Sequence, residues 1–249
     1  MRILIAGAGG QIGSRLIKEL KIKHSIYSLS KNLFSKNTKK NINLDLTNSI
    51  EVEKFTEQCK FFSVVVFLVG LNHGKGKKED QKKFMEVNYK TLYNLVLSLK
   101  KYNKEPEKII FASSISVYGE NLSKSYYFEE DTKNPISPYA TSKHKAENFL
   151  IESYYEKSWI LRFAPVYSSE FTLNIDRRTK ISNLFFKVGN GNSYFSLCNL
   201  KNIISVVRAI IKEQIPSGTY NISDAKHYSF NDLLKYRQAK NIMCIPSSF

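Results

Sequence analysis

The stretch GAGGQIG, Gly7 to Gly13, constrains the fold more than any other, because three glycines recur every third residue between an apolar pentad and a helix-period segment. The pentad RILIA (2–6) reads as a buried strand, and IGSRLIKEL (12–20) puts Ile12, Leu16, Ile17 and Leu20 on one side of a helix. Glycine is required where a chain turns with positive φ and where backbone must touch a pyrophosphate. The amino terminus of the following helix adds unpaired N–H groups and a partial positive charge that suit an anion. A strand, a glycine turn and a helix in that order are the context that gives such a pattern meaning. Gly7, Gly10, Gln11, Ile12 and Gly13 are therefore expected to hold the diphosphate of a dinucleotide.

The alternation continues along the chain. HSIYSLS (24–30) reads as a second strand, and SVVVFLV (63–69) is apolar throughout, as a central parallel strand should be. Residues 79–101 carry a long helix, KIIFAS (108–113) a strand, YATSKHKAENFLIESYY (139–155) a helix and SWILRFA (158–164) a sixth strand. After Pro165 the regular pattern breaks, leaving helical stretches near 174–188, 200–213 and 230–239, with loop or short-strand material at NLFFKVGNGNSYF and GTYNIS. The expected architecture is a Rossmann-type, doubly wound parallel α/β sheet over 1–165, to which segments of the C-terminal part return. Residues 166–249 are expected to form a small substrate-binding lobe. The polar, lysine-rich segment 73–83 reads as a solvated loop, and its place after a sheet strand also suits a flap over the site.

The net charge of +16 invites a nucleic-acid reading, but the lysines are scattered and no nucleic-acid module accompanies them. No nucleic-acid partner is expected; a basic surface would instead draw in diphosphate-bearing substrates. The longest apolar stretch, residues 61–71, is too short to span a bilayer, so no membrane role is expected. Met1 and Arg2 run directly into the first strand, with no secretory leader in view. Cys59, Cys198 and Cys244 have neither zinc-ligand spacing nor an even count, which points to a reducing cytoplasm. His24, His73, His144 and His227 are dispersed, and no metal site is expected.

Two further patterns bear on chemistry. An acidic residue about 20 positions beyond the glycine loop would hold the adenosine ribose of NAD. The second strand instead ends in Ser30 and Lys31, with Lys36, Lys39 and Lys40 nearby. A hydroxyl and a cation suit a 2′-phosphate, so NADP(H) is favoured, with NAD(H) as the alternative. Tyr139 and Lys143 are four apart and share one helix face. A tyrosine of ordinary pKa, near ~10, is a poor base at neutral pH, and an adjacent ammonium favours its phenolate. Ser114, at the carboxyl end of a sheet strand, is placed to hydrogen-bond the reacting oxygen.

In these motifs the chain resembles the extended short-chain dehydrogenases/reductases, the nucleotide-sugar epimerase/dehydratase family, over nearly its whole length. GAGGQIG matches that family's glycine loop, and LDLTN, with Asp45 and Leu46, matches its adenine-contacting segment. FLVGLN matches the strand end lining the cofactor, with Leu68, Val69, Gly70 and Asn72, and VNYKT with Asn88 matches the helix behind the site. SSISVYGE, SPYATSKHKAE, LRFAPVYS and GTYNISD match the catalytic strand, the catalytic helix, the sixth strand with its exit, and a late strand. The resemblance implies that Tyr139 is the acid/base, that Lys143 binds ribose and tunes Tyr139, and that Ser114 orients the substrate oxygen. It implies cofactor contacts at Asn88 and Ala164, and substrate contacts at Asn72, Ser114, Ser116, Tyr139, Pro165 and Tyr167. It also implies a homodimer, built on the apolar faces of helix 79–101 and the helix from Tyr139; by periodicity the same faces equally suit ordinary packing against the sheet.

Three departures narrow the chemistry. Members with 4,6-dehydratase activity carry an Asp-Glu pair directly after the Ser/Thr, where this chain has Ile115 and Ser116. Water elimination needs an acid and a base there, and neither residue supplies one. The Asn that often ends the sixth strand is replaced by Pro165, and the tail after it is short, so the substrate lobe is reduced. What survives is hydride transfer without elimination: reduction of a 4-keto (deoxy)sugar nucleotide with NADPH, or 4-epimerisation with tightly held NAD. The missing acidic residue and the reduced lobe favour the reductase. A non-catalytic dinucleotide-binding module would have no need to keep Ser114, Tyr139 and Lys143 together.

Overall fold

A computed structural model of the chain describes residues 1–31, 38, 40–71, 80–119, 124 and 126–247. Two compact units emerge: residues 1–162 with 206–221, and residues 163–205 with 222–249. The first unit is built on strands β1 (Arg2–Ala6), β2 (Ser25–Ser30), β3 (Asn41–Asn43), β4 (Val64–Phe67), β5 (Lys108–Ser114) and β6 (Ser158–Phe163). Its helices are α1 (Gln11–Leu20), α2 (Ser49–Gln58), α3 (Gln81–Met85), α4 (Thr91–Lys101) and α5 (Pro138–Tyr154). A late strand at Gly218–Ile222 completes a seven-stranded sheet, in which β6, β5, β4, β1, β2 and β3 follow it in order. The pairings of β1 with β2 and β4, of β2 with β3, and of β4 with β5 are parallel.

Burial explains the strand sequences. Every residue of β4 and β5 is buried, so their apolar runs are continuous where a half-exposed strand would alternate. Register then sets the site edge. Ala6 lies opposite both Leu29 and Phe67, and Phe67 lies opposite Phe111. Strands β1 and β4 therefore end level, β2 runs one residue further to Ser30, and β5 three residues further to Ser114. Ligands in such sheets bind beyond the carboxyl ends of the strands.

Two elements of this unit lie outside the sequence expectations. Strand β3 is only three residues of NIN, too short to carry a pattern, and α2 has a weakly amphipathic sequence. A readable signal for α2 was nevertheless present. Asn48 caps it, its side chain accepting from the Ile50 and Glu51 amides at 3.2 and 3.3 Å. The expected helix over 79–101 is interrupted by a π-helical turn at Glu86–Lys90 between α3 and α4. Tyr89, Tyr93, Phe149 and Tyr154 stack edge-wise and tilted against one another, Tyr154 within the main core and Tyr89 and Phe149 packed against it.

The second unit is made of short pieces. Its strands are β7 (Val166–Tyr167), β8 (Lys180–Ile181), β9 (Leu184–Val188), β10 (Tyr194–Ser196) and β11 (Cys198–Asn199). With β12 now assigned to Gly218–Ile222, β13 (His227–Ser229) and β14 (Met243–Ile245) follow. Helices α6 (Leu173–Thr179) and α8 (Phe230–Tyr236) belong here, and α7 (Leu200–Ile211) begins here. The helix expected over 174–188 ends at Thr179 and gives way to a β8–β9 hairpin. The reason is local: Ser182 turns at φ 54, and Phe185, Phe186 and Val188 favour a pleated strand. Helix α8 starts with a capping box between Ser229 and Asp232. Ile175, Leu197 and Leu233 form a small core against Tyr167, Phe195 and Tyr228. No helix among the described residues is long and apolar enough to cross a membrane.

Candidate active site

The glycine turn is fixed by the sheet beneath it. Gly7 and Ala8 donate to the Leu29 carbonyl at 2.9 and 3.1 Å, and Gly10 donates to Gly7 O at 3.1 Å. Gly7 sits at φ +89, and a β-carbon there would stand 2.9 Å from the Leu68 carbonyl carbon. One on Gly13 would stand 2.4 Å from Gly7 O. These two glycines are demanded by the chain's own packing. Gly10 is different: it is extended (φ −74, ψ 167), and a β-carbon would meet only Gly7 O, at 3.4 Å. Gly10 caps α1 without a side chain, so the helix amino terminus beginning at Gln11 and Ile12 opens past a glycine with free space over it. That cradle fits a dinucleotide diphosphate.

At the end of β2, Lys31 pairs with Asp45 at 2.6 Å. Asp45 also accepts from the Thr47 amide and hydroxyl at 3.0 and 2.7 Å. Burial pushes the Asp45 carboxyl up, but the bonds from Lys31 and Thr47 outweigh it and its pKa falls. Ser30 is bound through its backbone, accepting from Leu44 N at 2.9 Å. Leu46 is a core residue, and its carbonyl takes the Asn94 amide at 3.0 Å. Lys40 is exposed, while Lys36, Lys39 and Asn72 lie outside the described residues, as does most of the proposed flap at 73–83.

The end of β4 brings the next set together. Leu68 N donates to Ala6 O at 2.9 Å, and Val69 packs on the main core. A methyl built on Gly70 would lie 3.1 Å from Lys143 Nζ and 3.2 Å from Asn88 Oδ1. Asn88, wholly buried in the π turn, accepts from Leu71 N at 2.7 Å and donates to Leu71 O at 3.2 Å and Ser142 Oγ at 2.9 Å. It therefore clamps the β4 exit to α5. The extra residue of a π turn re-aims a side chain, which is how Asn88 reaches both.

Helix α5 is capped by Ser137 and begins with Pro138, which fixes where Tyr139 leaves its first turn. Burial raises the Tyr139 pKa, and a hydrogen bond with Ser114 pulls it back down. Phe84 meets the Tyr139 ring edge-on at 6.4 Å. Ser114 is nearly buried, and its Oγ also accepts from Ser116 N at 3.2 Å. Lys143 is 4 % exposed, donates to Ala112 O at 2.7 Å and lies 4.9 Å from the Phe111 ring centroid. Burial pushes its ammonium down to about 8, against an opposing pull from Glu147. Ser114, Tyr139 and Lys143 thus meet above the carboxyl end of β5.

Beneath them lies a buried network that the spacing of residues did not predict. Ser113 bonds Glu147, and Arg162 meets the Glu147 carboxylate through Nε at 3.1 Å and Nη2 at 2.8 Å. Arg162 Nη1 donates to Tyr118 Oη at 2.7 Å and Glu129 O at 2.9 Å, and Tyr118 donates to Asn221 Oδ1 at 2.8 Å. Arg162, on β6, is 1% exposed and acts as a buried ion-pair partner. The available signal for Glu147 was its position four residues after Lys143 on one helix face.

In the second unit, Ala164 N donates to Ile222 O at 3.0 Å, and Pro165 O accepts from Cys198 N at 3.1 Å. The Tyr167 hydroxyl donates to Asp224 Oδ2 at 2.8 Å, beside a second donation from Tyr228 at 2.9 Å. Its proton is therefore committed, leaving only acceptor capacity for a ligand.

Comparison with known proteins bears on the same residues. The family described as the NAD dependent epimerase/dehydratase family matches residues 3–223. Protein CapI of Staphylococcus aureus is 28% identical over an alignment 172 residues long that covers 62% of this chain and 49% of that protein. The chain spans about half the length of the curated relatives it matches. Among solved structures, a hypothetical dTDP-4-dehydrorhamnose reductase from Sulfolobus tokodaii superposes with a TM-score of 0.78 at 21% identity, covering 100% of this chain and 87% of that one. UDP-glucuronic acid 4-epimerase from Bacillus cereus, in complex with NAD, gives 0.78 at 20% identity, covering 99% and 86%. At these identities the likeness is one of fold.

Proposed function

The chain belongs to the NAD dependent epimerase/dehydratase family, and from that premise we propose that it is an oxidoreductase acting at C4 of a nucleotide-linked sugar, reducing a 4-keto (deoxy)sugar with NADPH. The observation that carries this reading is that Ser114 at the end of β5 meets Tyr139 and Lys143 of α5, with Lys143 Nζ tethered to the same strand end at Ala112 O, 2.7 Å away. A bound nicotinamide dinucleotide would supply the hydride, held at its diphosphate by Gly7, Gly10, Gln11, Ile12 and Gly13. Leu68, Val69, Gly70, Asn88 and Ala164 complete its proposed contacts, with Asp45 and Leu46 beside the adenine. Tyr139 Oη delivers the proton to the substrate oxygen, Ser114 Oγ orients that oxygen, and the Lys143 charge favours the phenolate left behind. Ile115 and Ser116 offer no acid/base pair for eliminating water, which supports hydride transfer alone. Ser116, Pro165, Tyr167 and Asn72 are proposed to contact the substrate.

A second reading, a 4-epimerase with tightly bound NAD, is favoured by the Lys31–Asp45 pair. A carboxylate 2.6 Å from Lys31 neutralises the cation that would select a 2′-phosphate. One experiment separates the two. Cofactor released from purified protein is identified, and NADPH oxidation is followed with 4-keto-6-deoxy nucleotide sugars. NADPH consumption supports the reductase; stoichiometric bound NAD with no NADPH consumption overturns it in favour of the epimerase.

A further inference from the structure

We propose that Glu147 is a positioning residue of this site: its carboxylate keeps the neighbouring Lys143 charged and locks the Ser113–Ser114 end of β5 against α5. The proposal rests on the reading of Lys143 as a dinucleotide-binding residue.

The geometry is a pair of parallel ties. Strand β5 offers two consecutive groups to α5: the Ala112 carbonyl takes Lys143 Nζ at 2.7 Å, and the Ser113 hydroxyl bonds Glu147. Lys143 and Glu147 are one helical turn apart on the same face, so the two ties fix both distance and rotation between strand and helix. Tyr139 is carried by that helix and Ser114 by that strand, so the approach of the two hydroxyls depends on this register. Glu147 is 1% exposed and cannot relax into water.

The charges around the pair point the same way. Lys143 Nζ meets the Ala112 carbonyl and the Phe111 ring from β5, shares the space over Gly70 with Asn88 Oδ1 of the π turn, and is acted on by Glu147 from its own helix. Glu147 faces Ser113 from β5 and Arg162 from β6, and its field reaches His144 and Lys133. Glu147 is the anion that offsets the cost of burying the Lys143 ammonium. Arg162 pairs with the Glu147 carboxylate from β6, Nη2 to Oε2 at 2.8 Å, and so holds it against β5.

The test is the pH dependence of dinucleotide affinity in the full chain, with NADPH and NADH as probes followed by fluorescence. In the wild type, log Kd should bend upwards near the pH where free Lys143 loses its proton, about 8. Glu147→Gln should move that bend down by roughly one pH unit, so that at pH 8 affinity falls about fivefold while at pH 6 it is little changed. Glu147→Asp, which keeps the charge, should restore the bend. Should Glu147→Gln fail to fold with Arg162 left unpaired, the double variant Glu147→Gln with Arg162→Met removes both buried charges and should show the same lowered bend. A bend that stays at the wild-type pH in the folded variants overturns the inference alone. A wild type that binds neither dinucleotide overturns the functional reading, and this inference with it.

Discussion

Replacing Tyr139 with phenylalanine removes one oxygen and leaves the ring that packs against Phe84. Turnover should fall by about 10²–10⁴-fold, the usual contribution of a general acid/base, while dinucleotide affinity stays nearly constant. A Phe variant retaining most of the activity would show that another group moves the proton. Lys143 makes a different prediction, because its folded-state pKa is depressed. Charged at neutral pH, it costs the fold ~3 kcal/mol by its shift from an ordinary lysine, less ~1 kcal/mol for its bond to Ala112. Below pH 8 the whole cost applies; it is relieved as pH rises from about 8 to the unfolded value near ~10.4. Lys143→Met should therefore raise the stability of the ligand-free protein at pH 7 by ~1–3 kcal/mol and abolish turnover. Denaturant titrations should show the wild type closing that gap between pH 8 and pH 10; a variant less stable at pH 7 would contradict the burial argument.

At the scale of elements, the strand–turn–helix unit separates what the fold demands from what a ligand demands. Gly13→Ala drives a methyl into Gly7 O and should destabilise the protein by ~1–3 kcal/mol or more. Gly10→Ala meets no such obstacle and should leave stability within about 0.5 kcal/mol, yet weaken dinucleotide binding tenfold or more. Thermal melts beside binding titrations for the two variants would expose any reversal of that order. The same unit was legible in the sequence because each of its signals is local: glycine spacing, an apolar strand and one amphipathic helix. Strand β3 and the β8–β9 hairpin were not, since three residues of NIN and two of KI hold no periodicity, and their pairing partners define them.

For the molecule as a whole, the net charge of +16 should act on encounter with anionic substrates. Raising ionic strength from about 0.01 M to 0.15 M should lower kcat/KM for a nucleotide sugar several-fold with kcat nearly unchanged. A salt-independent kcat/KM would remove the steering role. The doubly wound sheet, the glycine turn after β1, and the placing of Ser114 on a strand end and of Tyr139 and Lys143 on one helix face were already written in the sequence. Those features follow from periodicities of two and 3.6 residues and from the four-residue spacing of Tyr139 and Lys143. Only the tertiary structure decided that Lys31 is paired with Asp45, that Asn88 clamps the β4 exit to α5, and that Arg162 serves Glu147. The physical reason is that buried polar groups must find partners, and those partners come from distant segments that folding brings into register, where no local pattern records them.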